Sequence, residues 1–274
     1  MTLEILVATM NRNNLDFLIP MFPFAHFSQF SILVINQTDE INLLKSEFPN
    51  VRILNSFDIG LSKSRNMALQ NAIGEIAVIA DDDVVFLPDF QEVIVKTHKK
   101  NNDFSVICFQ TLTTKNKLYS NYSKREFIMK DKHFLNVLSI ELTFKVADLK
   151  QKNVIFNKYF GLGAQFQDAE SLFFLRRANH NQAKILFSPQ NIVIHEEYSS
   201  SDEIASDRIL YAKTAGFYKV YKSSAYILLL KLLFFLLRKK LILKSQIIPK
   251  FKSGLKGIQD YKILLKTRKE DFYN

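Results

Sequence analysis

The chain has 274 residues, 47% hydrophobic and 23% charged, a balance that excludes a disordered or fibrous protein and leaves room for a real core. A single cysteine, Cys108, excludes an intramolecular disulfide and fits a reducing compartment; in the apolar run 106–109 it reads as a small core residue. The net charge of +10 is unevenly placed, because residues 216–274 hold 14 Lys and Arg against 3 Asp and Glu, so the body of the chain is electrically balanced and the surplus is a property of the tail.

Residues 4–9 read as a first strand, and Glu4 with no basic n-region speaks against a signal peptide. A polar turn over 10–14 leads to an apolar, helical stretch from Leu15. Residues 30–36 form a second strand that ends in Gln37-Thr38-Asp39-Glu40, and 51–54 a short third. The segment Asp58-Ile59-Gly60-Leu61-Ser62-Lys63-Ser64-Arg65-Asn66 opens a helix that runs through Ala72, with Gly74 as its expected stop. The apolar run 76–80 is a buried strand delivering Asp81, Asp82 and Asp83 to one point. Strand and helix alternate over the first 90 residues, which predicts a mostly parallel sheet with helices on both faces.

Further on, 104–109 and 137–144 read as strands separated by a basic polar stretch. Gly161-Leu162-Gly163-Ala164 is a flexible loop, and 168–177 a helix with acids in its first turn and bases in its last. Residues 192–194 are a final strand running into His195-Glu196-Glu197, and 196–201 a loop able to fold over a ligand. No internal repeat, GxGxxG element or GxxxxGK[ST] loop is present.

Three adjacent carboxylates repel one another, and protonation, water or a divalent cation relieves the repulsion. A hard cation takes one or two protein carboxylates and completes its shell with water and phosphate oxygens. At the carboxyl end of a central strand, where open α/β sheets bind ligands, the triplet therefore points to a metal-bridged phosphorylated substrate. The other reading of the triplet alone is an acidic turn.

In order and spacing, Val7-Ala8-Thr9-Met10-Asn11-Arg12, the strand end Asn36-Gln37-Thr38-Asp39, the 60–66 segment and Asp81-Asp82-Asp83 resemble the family 2 glycosyltransferases of the GT-A fold, over roughly residues 3–200. The resemblance implies a metal-dependent, inverting transfer of a sugar from a nucleoside-diphosphate donor, a UDP-sugar foremost, to a glycan or lipid-linked acceptor in surface polysaccharide synthesis. It implies Asp81 on the ribose or sugar side, with Asp82 beside it, and Asp83 on Mn²⁺ or Mg²⁺. Thr9, Asn11, Arg12, Asn36 and Asp39 would line the nucleoside pocket, with Asp58, Gly60 and Arg65 on the donor. Asp168 would be the general base, with Glu170 as its understudy because Gln167 stands where relatives carry an acid. His195 would complete the metal shell. Each has a plainer reading: a solvated helix charge for Arg65, turn formers for Asn36 and Asp39, a helix-dipole acid for Asp168, a structural histidine for His195.

The expected organisation is a GT-A catalytic domain over 1–215, its nucleotide-sugar half about 1–100 and its acceptor half about 101–215, followed by a basic, apolar helical tail over 216–274. In the tail, two apolar runs flank Lys231 before Arg238-Lys239-Lys240. Thirteen residues are too short to span a bilayer, but the pattern suits an anionic membrane surface met by 223–256, or an apolar helix packed on the catalytic domain. No motif for nucleic acid accompanies the charge. The expected place is the cytoplasm, peripheral to the inner membrane. Two rivals remain at this point: a haloacid-dehalogenase-like phosphatase using Asp81 and Asp83, and a catalytically idle GT-A-like membrane adaptor.

Overall fold

The computed structural model describes residues 1–197 and 204–267; residues 198–201 of the expected loop lie outside the described residues. The chain divides into two compact units, one of 1–156 with 171–197, the other of 157–170 with 198–274. The charge step at 215/216 is thus not a structural boundary: it falls inside a helix, Asp207–Tyr221.

The first unit is built on β1 (Leu3–Met10), β2 (Ile32–Gln37), β3 (Val51–Ser56) and β4 (Ile76–Asp81), which pair in the order β3-β2-β1-β4, all parallel. The second half of the sheet adds β5 (Val85–Phe86), β6 (Val106–Thr113), β7 (Phe127–Ile128), β8 (Leu142–Lys145) and β9 (Ile185–His195). The path continues β4-β8-β6-β9-β5, mixing parallel and antiparallel pairs, and β7 joins β9. Strands buried on both sides read as unbroken apolar runs. Accordingly Ile76, Val78 and Ala80 enter one core layer and Ala77 and Ile79 the other.

On one face lie α1 (Leu18–Met21) and α3 (Phe90–Lys100), with Phe22 stacked on Phe86 at 5.2 Å. On the other lie α2 (Leu61–Asn71), α4 (Val146–Gln151) and α5 (Glu170–His180), carrying Leu69, Leu149 and Phe174. The apolar stretch from Leu15 yields only the single turn of α1, because Pro20 and then Pro23 lack the amide hydrogens a longer helix needs. The strand expected over 137–144 begins only at Leu142, since Ser139–Glu141 forms a 3₁₀ turn.

Gly74 is not a left-handed helix stop. Its amide donates to Glu4 Oε2 at 3.0 Å, and a Cβ there would lie 2.7 Å from that of Glu4. Glu4 is fully buried, and its charge is matched by Arg52 Nη2 at 2.6 Å and the Ile73 amide at 2.7 Å, the pairing that makes a buried carboxylate tolerable.

The second unit comprises α6 (Asp207–Tyr221), α7 (Ala225–Arg238) and α8 (Ile247–Lys266) with the 157–170 segment. Gly254 and Gly257 let α8 close on its neighbours: a Cβ on Gly257 would stand 2.1 Å from the Tyr211 carbonyl oxygen, and Thr214 Oγ1 donates to the Gly254 carbonyl at 2.8 Å. Aromatic side chains bind the 157–170 segment to these helices, Phe166 stacking on Tyr211 at 5.2 Å and Phe160 meeting Tyr261 at 6.0 Å.

Candidate active site

The chain runs outward from β1 to β2 and β3, then returns to β4 on the other side of β1. The carboxyl ends of β1 and β4 therefore flank a topological switch point, where an open α/β sheet leaves a crevice for ligand. Register places Ala8 opposite Asp81, so Thr9, Asn11 and Arg12 follow from one lip and the acidic triplet from the other.

Each acid of the triplet meets a different partner. Asp81 Oδ1 accepts from Arg65 Nη2 at 2.8 Å. Asp82 Oδ2 accepts from Arg12 Nε and Nη2 at 3.0 and 2.6 Å and from the Thr9 hydroxyl in a short contact. Asp83 Oδ1 stands 3.5 Å from His195 Nε2, while His195 Nδ1 lies 2.9 Å from the Glu196 carbonyl. The contact with His195 holds the Asp83 carboxyl below its usual range against the opposing effect of partial burial, and the same contact raises the His195 imidazolium. The repulsion expected of three adjacent carboxylates is thus distributed over two arginines and a histidine.

Arg65 is not a solvated helix charge. It is 1% exposed, donates also to Ser139 Oγ at 2.7 Å, and lies over the Phe156 ring at 5.6 Å. Its guanidinium is committed to holding Asp81 in place. Gly60 adopts φ 133°, and its amide donates to the buried Gln37 Oε1 at 2.6 Å, which fixes the start of α2. Asp58 is exposed and pairs with Lys63 at 3.2 Å.

On the β2 side, Asn36 is fully buried and exchanges bonds with the Arg12 backbone, accepting from its amide and donating to its carbonyl, each at 3.1 Å. It also donates to Asn55 Oδ1 at 3.1 Å. Asn36 therefore shapes the crevice by fixing the β1 loop, in which Asn11 takes a left-handed φ of 54° and its amide reaches the Gln37 carbonyl at 2.8 Å. Asp39 is exposed and caps its own turn, accepting from the Ile41 and Asn42 amides at 2.9 Å, which lowers its pKa. It is the turn former of the two readings.

The second unit holds Asp168, and it precedes α5 instead of belonging to its first turn. Ala169 between them has φ 68°, a conformation costly for an L-residue and often found where a side chain must be aimed. Glu170 is the helix's first-turn acid. Burial raises the Asp168 carboxyl, with Lys213 opposing and Glu170 reinforcing the shift. Arg208 donates to the Gln167 carbonyl at 3.2 Å.

Sequence reasoning missed Ser139, Gln37 and Asn55, which hold Arg65, Gly60 and Asn36. It also missed Glu141, buried at the end of the Ser139 turn and accepting from the Leu138 amide at 3.1 Å, Thr111 Oγ1 at 3.2 Å and, in a short contact, the Tyr122 hydroxyl. Nothing in the local pattern flags a polar residue whose partners come from β6 and a distant loop. Burial pushes its carboxyl up to about 8 from 4.5. Between those values the unfolded chain ionises Glu141 while the folded chain keeps its proton, so stability is expected to fall as pH rises across this window. Thermal unfolding from pH 5 to 8.5 should show that fall in the wild type and a flatter profile in Glu141→Gln; parallel slopes would refute the assignment.

Among the described residues no group of three or more His, Cys, Asp or Glu side chains gathers as a protein cage for a metal. The pair Asp83 and His195 does suit a cation that draws its other ligands from phosphate and water, since carboxylate with imidazole is an acceptable donor set for Mn²⁺ and, with less preference, Mg²⁺.

The fold is that of GT-A-like α/β proteins. The sequence model described as "Glycosyl transferase family 2" matches residues 36–160. The crystal structure of S. aureus TarS 1-349 is similar with a TM-score of 0.56 at 16% identity, covering 95% of this chain and 81% of that one. The same protein in complex with UDP-GlcNAc is similar with a TM-score of 0.53 at 13% identity, covering 97% and 92%, and its UDP complex with 0.52 at 12% identity, covering 97% and 92%. None of the curated proteins matches the chain in sequence. The matched segment contains Asp81, Asp82 and Asp83.

Proposed function

We propose that the protein is an inverting glycosyltransferase that moves a hexose-type sugar from a nucleoside-diphosphate donor, a UDP-sugar, to a glycan or lipid-linked acceptor. The observation that carries the reading is Asp81, Asp82 and Asp83 at the carboxyl end of β4, with Asp83 beside His195. The likeness to TarS, whose complexes hold UDP-GlcNAc and UDP, supports the choice of donor.

Asp83 and His195 would hold Mn²⁺ or Mg²⁺, which when bound neutralises charge on the leaving diphosphate. Asp81, fixed by Arg65, and Asp82, fixed by Arg12 and Thr9, present acceptor oxygens suited to ribose or sugar hydroxyls. Asn36, through the Arg12 loop, and Gly60, through Gln37, keep the two walls of the crevice in position. Asp168 takes the proton of the acceptor hydroxyl as its oxygen bonds to the anomeric carbon and the bond from that carbon to the diphosphate breaks. A single displacement of this kind inverts the anomeric configuration.

A thermal-shift panel of nucleoside diphosphates with and without Mn²⁺ tests the reading. A ligand present at 100 times its Kd and bound only by the native state adds about 2.7 kcal/mol of stability. UDP with Mn²⁺ is expected to raise Tm by several degrees and to exceed the other diphosphates. No shift with any diphosphate would favour the idle adaptor.

A further inference from the structure

Apart from Lys231 and its last residue, Arg238, the helix α7 is apolar all round, yet only one side is covered. Ala225, Leu229, Leu233 and Leu236 face the small core of the second unit. The opposite side exposes Ile227 at 58%, Leu230 at 56% and Phe234 at 66%, spaced three and four residues apart and so aligned in one stripe. An all-apolar helix in water is normally buried, and an aligned stripe of this size marks a surface meant to meet something.

The charge around the stripe decides what. Residues 222–256 contain nine Lys and Arg and no Asp or Glu. Lys231 interrupts the stripe, and Arg238, Lys239, Lys240 and Lys244 follow its end, all exposed. Two copies of so uniformly basic a face would repel each other, and nucleic acid would have no use for exposed Phe and Leu. An anionic phospholipid surface satisfies both features, taking the apolar stripe into the acyl boundary while the cations sit among headgroups.

Helix length decides how it is met. The helical run Asp207–Arg238 is long and apolar enough to cross a membrane by length and composition, which modifies the expectation drawn from thirteen residues. Lys222, with φ 49°, breaks that run into α6 and α7. The 14 residues of α7 extend only about 21 Å at 1.5 Å each, short of the roughly 30 Å hydrocarbon core. We infer that α7 lies in the plane of an anionic membrane interface, its Ile227–Leu230–Phe234 stripe downward, as a peripheral anchor. This goes beyond the reaction assigned above and does not depend on it.

The test is sedimentation of the full chain with phosphatidylglycerol or phosphatidylcholine vesicles at low and high salt. Binding is expected to phosphatidylglycerol alone and to weaken with salt. The double variant Leu230→Glu with Phe234→Glu, at exposed positions, should partition at least about tenfold less, with its own Tm unchanged. A polarity-sensitive dye on Phe234→Cys should shift to the blue on phosphatidylglycerol vesicles; Cys108 is buried and stays unlabelled. The proposal is overturned if the full chain stays in the supernatant with both lipids. It is equally overturned if the double variant binds like wild type, or if light scattering shows a dimer that the double variant splits.

Discussion

Asp83→Ala is expected to abolish metal-dependent transfer while the protein remains folded. Removing charge neutralisation from a leaving diphosphate forfeits several kcal/mol of transition-state stabilisation, on the order of 10³ in rate. The fold is not at risk, because the Asp83 side chain is 59% exposed and its ion pair with His195 is the kind worth about 1 kcal/mol or less. Asp81→Ala differs in a diagnostic way. It removes the carboxylate that accepts from the buried Arg65, and breaking a buried pair costs about 3–5 kcal/mol, a figure to be discounted here because Asp81 itself is partly exposed. Asp81→Ala should therefore lower Tm where Asp83→Ala does not. Mn²⁺-dependent stabilisation by UDP reads the same change without turnover and should vanish in Asp83→Ala. Retained activity in Asp83→Ala, with an acid-stable phosphoenzyme that Asp81→Ala eliminates, would restore the phosphatase chemistry.

Asp168→Asn is expected to lower turnover by about 10²–10⁴, the usual contribution of a general base, with UDP binding nearly unchanged. The Asp168 carboxyl is raised by burial, which makes it a better proton acceptor near neutrality than an ordinary aspartate. The acid limb of the rate profile should accordingly lie above the ordinary aspartate value and disappear in the variant. A structural role would show itself as a lowered Tm with an unaltered pH profile. Full activity in Asp168→Asn with loss in Glu170→Gln would transfer the role to the first-turn acid of α5.

Much of the donor half was legible because its signals are local. The run 76–80 is apolar at every position, as a strand buried on both faces requires, and with the alternating elements around it this announced both the parallel sheet and the place of the triplet. The nearness of Asp83 to His195, 112 positions apart in the chain, was implied only by the family resemblance, which put both on one metal. What stayed hidden are relations between elements. Arg65 looks like any helical arginine until Ser139 and Phe156 close over it. Gly74 looks like a helix stop because its true reason, the nearness of Glu4, lies 70 residues away. Asp168 looks like a helix acid because the left-handed Ala169 that detaches it has no sequence signature. The division at 215 followed charge, whereas packing follows the aromatic contacts of Phe160 and Phe166.

Those aromatic contacts bear on more than domain boundaries. Phe166, two residues before Asp168, rests on Tyr211, whose hydroxyl donates to Asp260 at 2.7 Å, and Tyr261 closes against Phe160. Removing residues 216–274 would cut α6 and strip Tyr261 away, so such a truncation disturbs the packing beside Asp168 along with the tail. The more telling consequence is mechanical. Asp168 and α7 belong to one packed unit, and with α7 settled on a bilayer the proposed base would stand at a set height above the lipid. The protein would then act as a ruler, accepting hydroxyls that a lipid-linked chain presents at that height and ignoring the same sugar carried nearer to or farther from the membrane.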